Sequence, residues 1–248
     1  FTDSGEQIWI YVTEILSTTP VIESKLTKEE IKNNLSSDIW NNDKRSLTDF
    51  QLNNLQKSLR NNFSAIFSVP GAGKTVEALA YSTIKTKGDP HYVIICPRNA
   101  FSVWENELEI CTLLQSNEIQ RVNGKKNEEL EKIILSSVAP RAILMNYNLL
   151  MYRQSIISKY LIKLQKDGAN IVLIIDESHW IKGGKKFTSC VHNISPYAKY
   201  RLILSGTPMT LHADDLVAQY QAIMPQQRGI LEENIEVFAR DKFVRTTK

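Results

Sequence analysis

Short apolar runs alternate along the chain with longer segments whose apolar residues recur at helical spacing. "SAIFSV", "YVIICP", "RAILMNY", "NIVLIIDE" and "YRLILSGTP" are the apolar runs, and "IQRV" is a shorter one. A strand with one wet face alternates apolar and polar residues, whereas continuous apolar runs of this length predict strands covered on both sides, as in a parallel sheet. Between them, "TVEALAYSTIK", "VWENELEICTLL", "KKNEELEKIIL" and "LLMYRQSIISKYLIKLQ" predict helices, the first stopped by Gly88 and the Asp89-Pro90 turn. Strand and helix in alternation predict an α/β fold: a mostly parallel sheet with helices on both faces and ligands at the carboxyl ends of the strands.

Residues 1–44 differ in texture. Ile8, Val12, Ile15 and Leu16 lie at helical spacing, Pro20 breaks the run, and Thr27 with Glu30 forms a capping-box signature for a second short helix. This segment reads as a short helical extension preceding a domain that spans 45–248. Internal repeats and low-complexity tracts are absent from the sequence.

Composition narrows the class without choosing a function. With 248 residues, 42% hydrophobic and 23% charged, the chain can build a sizeable core, and a net charge of +3 neither demands nor forbids a nucleic-acid partner. Cys96, Cys111 and Cys190 form neither a disulfide framework nor a C-x-x-C site, which fits a reducing, intracellular compartment. That is the cytoplasm if the source is bacterial and the nucleus if it is eukaryotic. The longest apolar run, "IVLII", falls far short of the ~20 residues that span a bilayer, so no membrane partner is expected. The chain starts at Phe1 with no signal pattern and is expected to be part of a longer protein.

Two stretches carry chemistry. In "SVPGAGKT", Ser68 stands where a phosphate loop usually has glycine, but Gly71 and Gly73 leave backbone amides free to point at phosphates. Lys74 is placed to reach the β and γ phosphates of ATP, Thr75 offers a hydroxyl to Mg²⁺, and Pro70 and Ala72 complete the loop. The strand before it and the helix after it supply the setting such a loop needs, including a positive helix N-terminus. "IVLIIDESH" delivers Asp176 to hold Mg²⁺ through a water and Glu177 to orient and deprotonate an attacking water. An apolar strand ending in Asp-Glu is a weak signal alone; together with "GAGKT" it is strong.

"SVPGAGKT", "DESH" and "LSGTPM" resemble motifs I, II and III of the superfamily-two helicases, closest to their Swi/Snf-type branch. "VIICPRNAFSVWENEL", with Pro97, Trp104 and Glu107 in register, resembles motif Ia, and "LTDFQLNNL" resembles the adenine-reading Q motif. "RVNGKKNEEL" and "ILMNYNLL" resemble the segments between motifs Ia and II. The resemblance covers about residues 45–225 and implies the first RecA-like P-loop lobe of a DNA-translocating ATPase, with duplex DNA as its track. By the same resemblance, Gln51 reads the adenine edge with Phe50 packing nearby. His179 links the nucleotide site to Ser205 and Thr207, and Asn99 and Asn146 lie near the nucleic-acid backbone. A second RecA-like lobe with an arginine finger is implied elsewhere in the longer chain, so the lone lobe is expected to turn over ATP poorly. Val69-Pro70-Gly71-Ala72-Gly73 departs from the remodellers' Met-Gly-Leu-Gly, and the serine of "DESH" is a minor variant.

Other readings stay open on the sequence. The same motifs serve the motor subunit of a strand-separating helicase or of a restriction or defence complex. A non-catalytic nucleic-acid or partner-binding module is a further alternative, which the intact Lys74, Thr75, Asp176 and Glu177 argue against. An AAA-type ring subunit does not account for the Q-like segment or the Gly-Thr-Pro strand end. His91, His192 and His212 show no metal-ligand spacing, and Trp104 and Trp180 read as packing residues. Lys182, Lys185 and Lys186 around Gly183 and Gly184 form a basic loop, either solvated or on a phosphate backbone. Arg240 and Arg245 match no motif.

Overall fold

The computed structural model describes residues 26–122, 126–182, 186–208 and 214–225. In chain order the elements are α1 (Lys28–Asn34), α2 (Asp49–Ser58), β1 (Phe63–Phe67), α3 (Lys74–Thr86), β2 (Pro90–Ile95), α4 (Phe101–Cys111) and β3 (Ile119–Arg121). They continue with α5 (Asn127–Ile134), β4 (Ala142–Met145), α6 (Tyr147–Lys166), β5 (Asn170–Asp176), α7 (Lys186–Ile194), β6 (Tyr200–Ser205) and α8 (Asp214–Ile223). The helix expected over Ile8–Leu16, the loop residues 183–185, His212, Arg240 and Arg245 lie outside the described residues.

The strands form one six-stranded sheet in the order β1-β6-β5-β2-β4-β3, with every pairing parallel. Helices cover both faces, and β5 shows why its sequence is apolar throughout. Ile171, Leu173 and Ile175 enter the core shared with α5, α6, α7 and α8, while Val172 and Ile174 enter the opposite core with α1, α2, α3 and α4. The α/β fold read from the sequence is the fold observed. Helix α7 was not singled out from the sequence, where threonine, serine and asparagine dilute its pattern; it buries Val191 and Ile194 against α6.

Local signals fall where they were read. Thr27 caps α1, its hydroxyl accepting from the Glu30 amide at 3.2 Å while the Thr27 amide donates to Glu30 Oε2 at 2.7 Å. Helix α3 ends on Lys87 and Gly88, both with positive φ (54° and 80°), a left-handed exit that glycine accepts readily. The described part of the extension packs into the main core: Ile31, Leu35 and Trp40 join the cluster that holds Leu52 and Trp104. Arg45 fastens it further with a bidentate pair to Glu107 on α4, Nε to Oε2 at 2.9 Å and Nη2 to Oε1 at 2.7 Å. All three cysteines are buried and unbridged. Among the described residues no helix is long and apolar enough to cross a membrane.

Candidate active site

The strand order assembles the site. Because β1, β6 and β5 are neighbours, the loops leaving their carboxyl ends bring together "SVPGAGKT", "SGTP" and "DESH". In the first loop Gly71 and Gly73 hold φ of 82° and 81°. Helix α3 starts directly on Gly73 with no side-chain cap, so its first amides and its positive dipole face the loop. This is the donor set that phosphates require, and the residues present fit a nucleotide triphosphate. Lys74 Nζ lies across the loop, donating to Ser68 O at 2.9 Å and Val69 O at 3.3 Å. Thr75 is part-buried in the first turn of α3. Gly206 packs onto the loop: a Cβ there would meet Pro70 Cδ at 3.2 Å.

Gln51, expected at the adenine edge, reaches this loop and has a further task. It occupies the third position of α2 and completes a capping box, its Oε1 accepting from the Thr48 amide at 2.9 Å. Its Nε2 stands 3.5 Å from Gly73 O, and a Cβ on Gly73 would lie 2.4 Å from that nitrogen. Gly73 is favoured by its backbone conformation, and a side chain there would displace the Gln51 amide. Phe50 beside it is 56% exposed.

At the end of β5 the two acids are held in different ways. Asp176 is pinned at both oxygens: Oδ1 accepts from the Glu177 amide at 2.9 Å and Oδ2 from the Trp104 indole at 2.9 Å. Burial pushes its carboxyl above the usual range, opposed by those two bonds and by the charges of Lys74 and His179. Glu177 has a left-handed backbone (φ 50°, ψ 49°), unusual for a residue with a Cβ. Tyr147 steadies this turn, its hydroxyl donating to Asp176 O at 2.7 Å and lying 3.4 Å from Glu177 O. Trp180 stacks on Tyr147 at 6.1 Å between centroids and is about half exposed.

His179 and the end of β6 are in contact. His179 Nδ1 lies 3.2 Å from Glu177 Oε2 and 3.1 Å from Ser205 Oγ, and the Thr207 amide donates to the same hydroxyl at 3.1 Å. The serine of "DESH" adds a tie of its own: Ser178 Oγ donates to Gln219 Oε1 at 2.7 Å, and Gln219 Nε2 donates to Pro208 O at 2.6 Å. Helix α8 thereby anchors both motifs. Asn99 is exposed in the turn Arg98–Ala100 after β2. Asn146 is the N-cap of α6, its side chain accepting from the Leu149 amide at 2.8 Å. Among the described residues no three His, Cys, Asp or Glu side chains cluster as a metal site of their own.

Comparison with known proteins decides the family. The model of the SNF2-related domain matches residues 49–241. The chain belongs to that family. It is 27% identical over 191 residues to the SWI/SNF chromatin-remodeling complex subunit snf22 of Schizosaccharomyces pombe, covering 73% of this chain and 11% of that protein. It is 27% identical over 185 residues to the human DNA excision repair protein ERCC-6, covering 68% of this chain and 12% of the relative. The chain thus spans a small fraction of the curated relatives it matches. In fold it is similar to the Hef helicase domain of Pyrococcus furiosus, with a TM-score of 0.56 at 15% identity, covering 75% of this chain and 38% of that one. The chain is an SNF2-related domain with the fold of a helicase domain.

Sequence reasoning missed one residue of this SNF2-related domain. Glu77, one turn past Lys74 on α3, is 1% exposed and accepts from Asn54 Nδ2 at 3.2 and 3.3 Å. Helix α2 thus lays Gln51 on Gly73 and Asn54 on Glu77; the i, i+3 spacing of that pair was the available signal. Burial pushes the Glu77 carboxyl up from 4.5 to about 7, against the opposing pull of Asn54 and then Lys74. Because the folded value is the higher one, the contribution of this group to stability is fully present below about pH 4.5 and is lost as pH climbs through about 7. Glu77→Gln, which keeps an acceptor for Asn54, is expected to exceed the native chain in stability by up to about 3 kcal/mol at pH 8. Most of that gap should vanish at pH 5. Urea unfolding at both pH values checks this, and a gap independent of pH would contradict it.

Proposed function

We propose that this domain binds ATP with Mg²⁺ and hydrolyses it as the first lobe of a motor that translocates on DNA, with duplex DNA as the track. The observation that carries the reading is the convergence of an uncapped, glycine-built loop at the end of β1 with Asp176 and Glu177 at the end of β5, the two strands lying either side of β6. Lys74 and the first amides of α3 would hold the β and γ phosphates, and Gln51 with Phe50 the adenine. Thr75 and Asp176 would hold Mg²⁺, which when bound neutralises charge on the phosphate oxygens. Glu177 would orient and deprotonate the attacking water, and His179 would relay its position to Ser205 and Thr207.

Family membership and the relatives named for chromatin remodelling and DNA repair support a DNA partner. A second lobe elsewhere in the protein would supply the arginine finger, without which this lobe would turn over ATP slowly. Three unbridged, buried cysteines fit an intracellular site. Asn99, exposed beyond β2, is placed for a backbone contact; Asn146 could serve one only while also capping α6.

If phosphate contacts dominate, the affinity of the full-length protein for a DNA duplex of mixed sequence should fall linearly in log–log form with salt. Duplexes of unrelated sequence should give the same slope. Binding insensitive to salt, or confined to one sequence, would contradict the translocase reading.

A further inference from the structure

Trp104 is fully buried on α4, 72 residues from Asp176 in sequence yet beside it in space, because β2 and β5 are neighbours. A buried indole N–H needs an acceptor, and most core tryptophans find a backbone carbonyl or water. Here the acceptor is Asp176 Oδ2 at 2.9 Å, on the carboxylate read above as the metal holder. The other oxygen is already engaged by the Glu177 amide at 2.9 Å. A carboxylate held at both oxygens cannot rotate about its terminal bond without breaking a hydrogen bond, and donors to the ionised form favour that form.

We propose that Trp104 is a positioning residue for the metal-holding carboxylate: its indole N–H fixes the plane of Asp176, so that the remaining lone pairs face the phosphate loop. The assignment rests on the nucleotide-site reading above and adds to it a residue that touches neither nucleotide nor water. Its counterpart in other metal centres is the outer-shell donor that orients a ligand, whose removal typically costs about 10–100-fold in metal affinity. Packing alone would be satisfied by any side chain of indole shape. Positioning requires the N–H.

That difference sets the experiment. ATP binding to the full-length protein is titrated with and without Mg²⁺, for the native protein, for Trp104→Phe, and for a variant carrying benzothienylalanine at 104, which keeps the bicyclic shape and replaces N–H by sulfur. The native protein should bind ATP more tightly with Mg²⁺. Both variants should lose about 10-fold of that Mg²⁺-dependent gain, with Mg²⁺-free affinity and melting temperature near native for the benzothienyl form. If Trp104→Phe fails to fold, the benzothienyl variant alone decides. An unchanged Mg²⁺ gain in a folded variant would overturn the positioning role while leaving the nucleotide site standing. Absence of Mg²⁺-dependent ATP binding in the native protein would overturn the site reading, and this inference with it.

Discussion

Glu177→Gln is expected to leave Mg²⁺-ATP binding intact and to cut turnover by the full-length protein by roughly 10²- to 10⁴-fold, the range of general-base contributions. The substitution keeps shape and the left-handed turn that Tyr147 steadies, and it removes only the ability to accept a proton. His179 also lies within 3.2 Å of Glu177 Oε2, so the amide retains a partner and the Ser205 link need not shift. Binding and turnover measured on the same preparation separate the two roles. Hydrolysis at the native rate would remove Glu177 from the mechanism.

Lys74→Ala should instead act on binding. The ammonium lies 2.9 Å from Ser68 O and 3.3 Å from Val69 O, on carbonyls of the loop itself. A charge-assisted bond to a phosphate is worth about 1.5–3 kcal/mol, so ATP affinity should fall by about 10–100-fold. ADP should suffer less if the lysine reaches mainly the terminal phosphate. Calorimetry with both nucleotides checks this, and equal losses for ADP and ATP would place Lys74 away from the γ position. Circular dichroism should show no loss of helix, because Lys74 is the first residue of α3 and its side chain supports no turn of that helix.

Much of this was legible because the signals are local. Continuous apolar β5 announces a strand covered on both faces, Thr27 and Glu30 announce the start of α1, and Gly88 the end of α3. The phosphate loop and the acid pair are contiguous motifs with a mechanism behind each residue type. The resemblance put His179, Ser205 and Thr207 together, and in the structure Ser205 Oγ lies within hydrogen-bond distance of both His179 Nδ1 and the Thr207 amide.

What was not legible depends on which elements become neighbours. Trp104 reads as an apolar helix position; that its N–H meets Asp176 follows from β2 lying beside β5, and periodicity carries no strand order. Glu77 drew no reading from the sequence, and the docking of α2 onto α3 buries it against Asn54. Gln51 is a different kind of miss. The sequence Thr48-x-x-Gln51 is a capping box in plain view, and its likeness to the adenine-reading motif drew attention from that local role.

The most direct test is steady-state ATP hydrolysis by the full-length protein with and without duplex DNA, beside Glu177→Gln. A motor built on this lobe should hydrolyse ATP faster when duplex DNA is added, and the variant should do so neither with DNA nor without it. Turnover unaffected by any nucleic acid, or undiminished in Glu177→Gln, would contradict the assignment of this site as the engine of a DNA translocase.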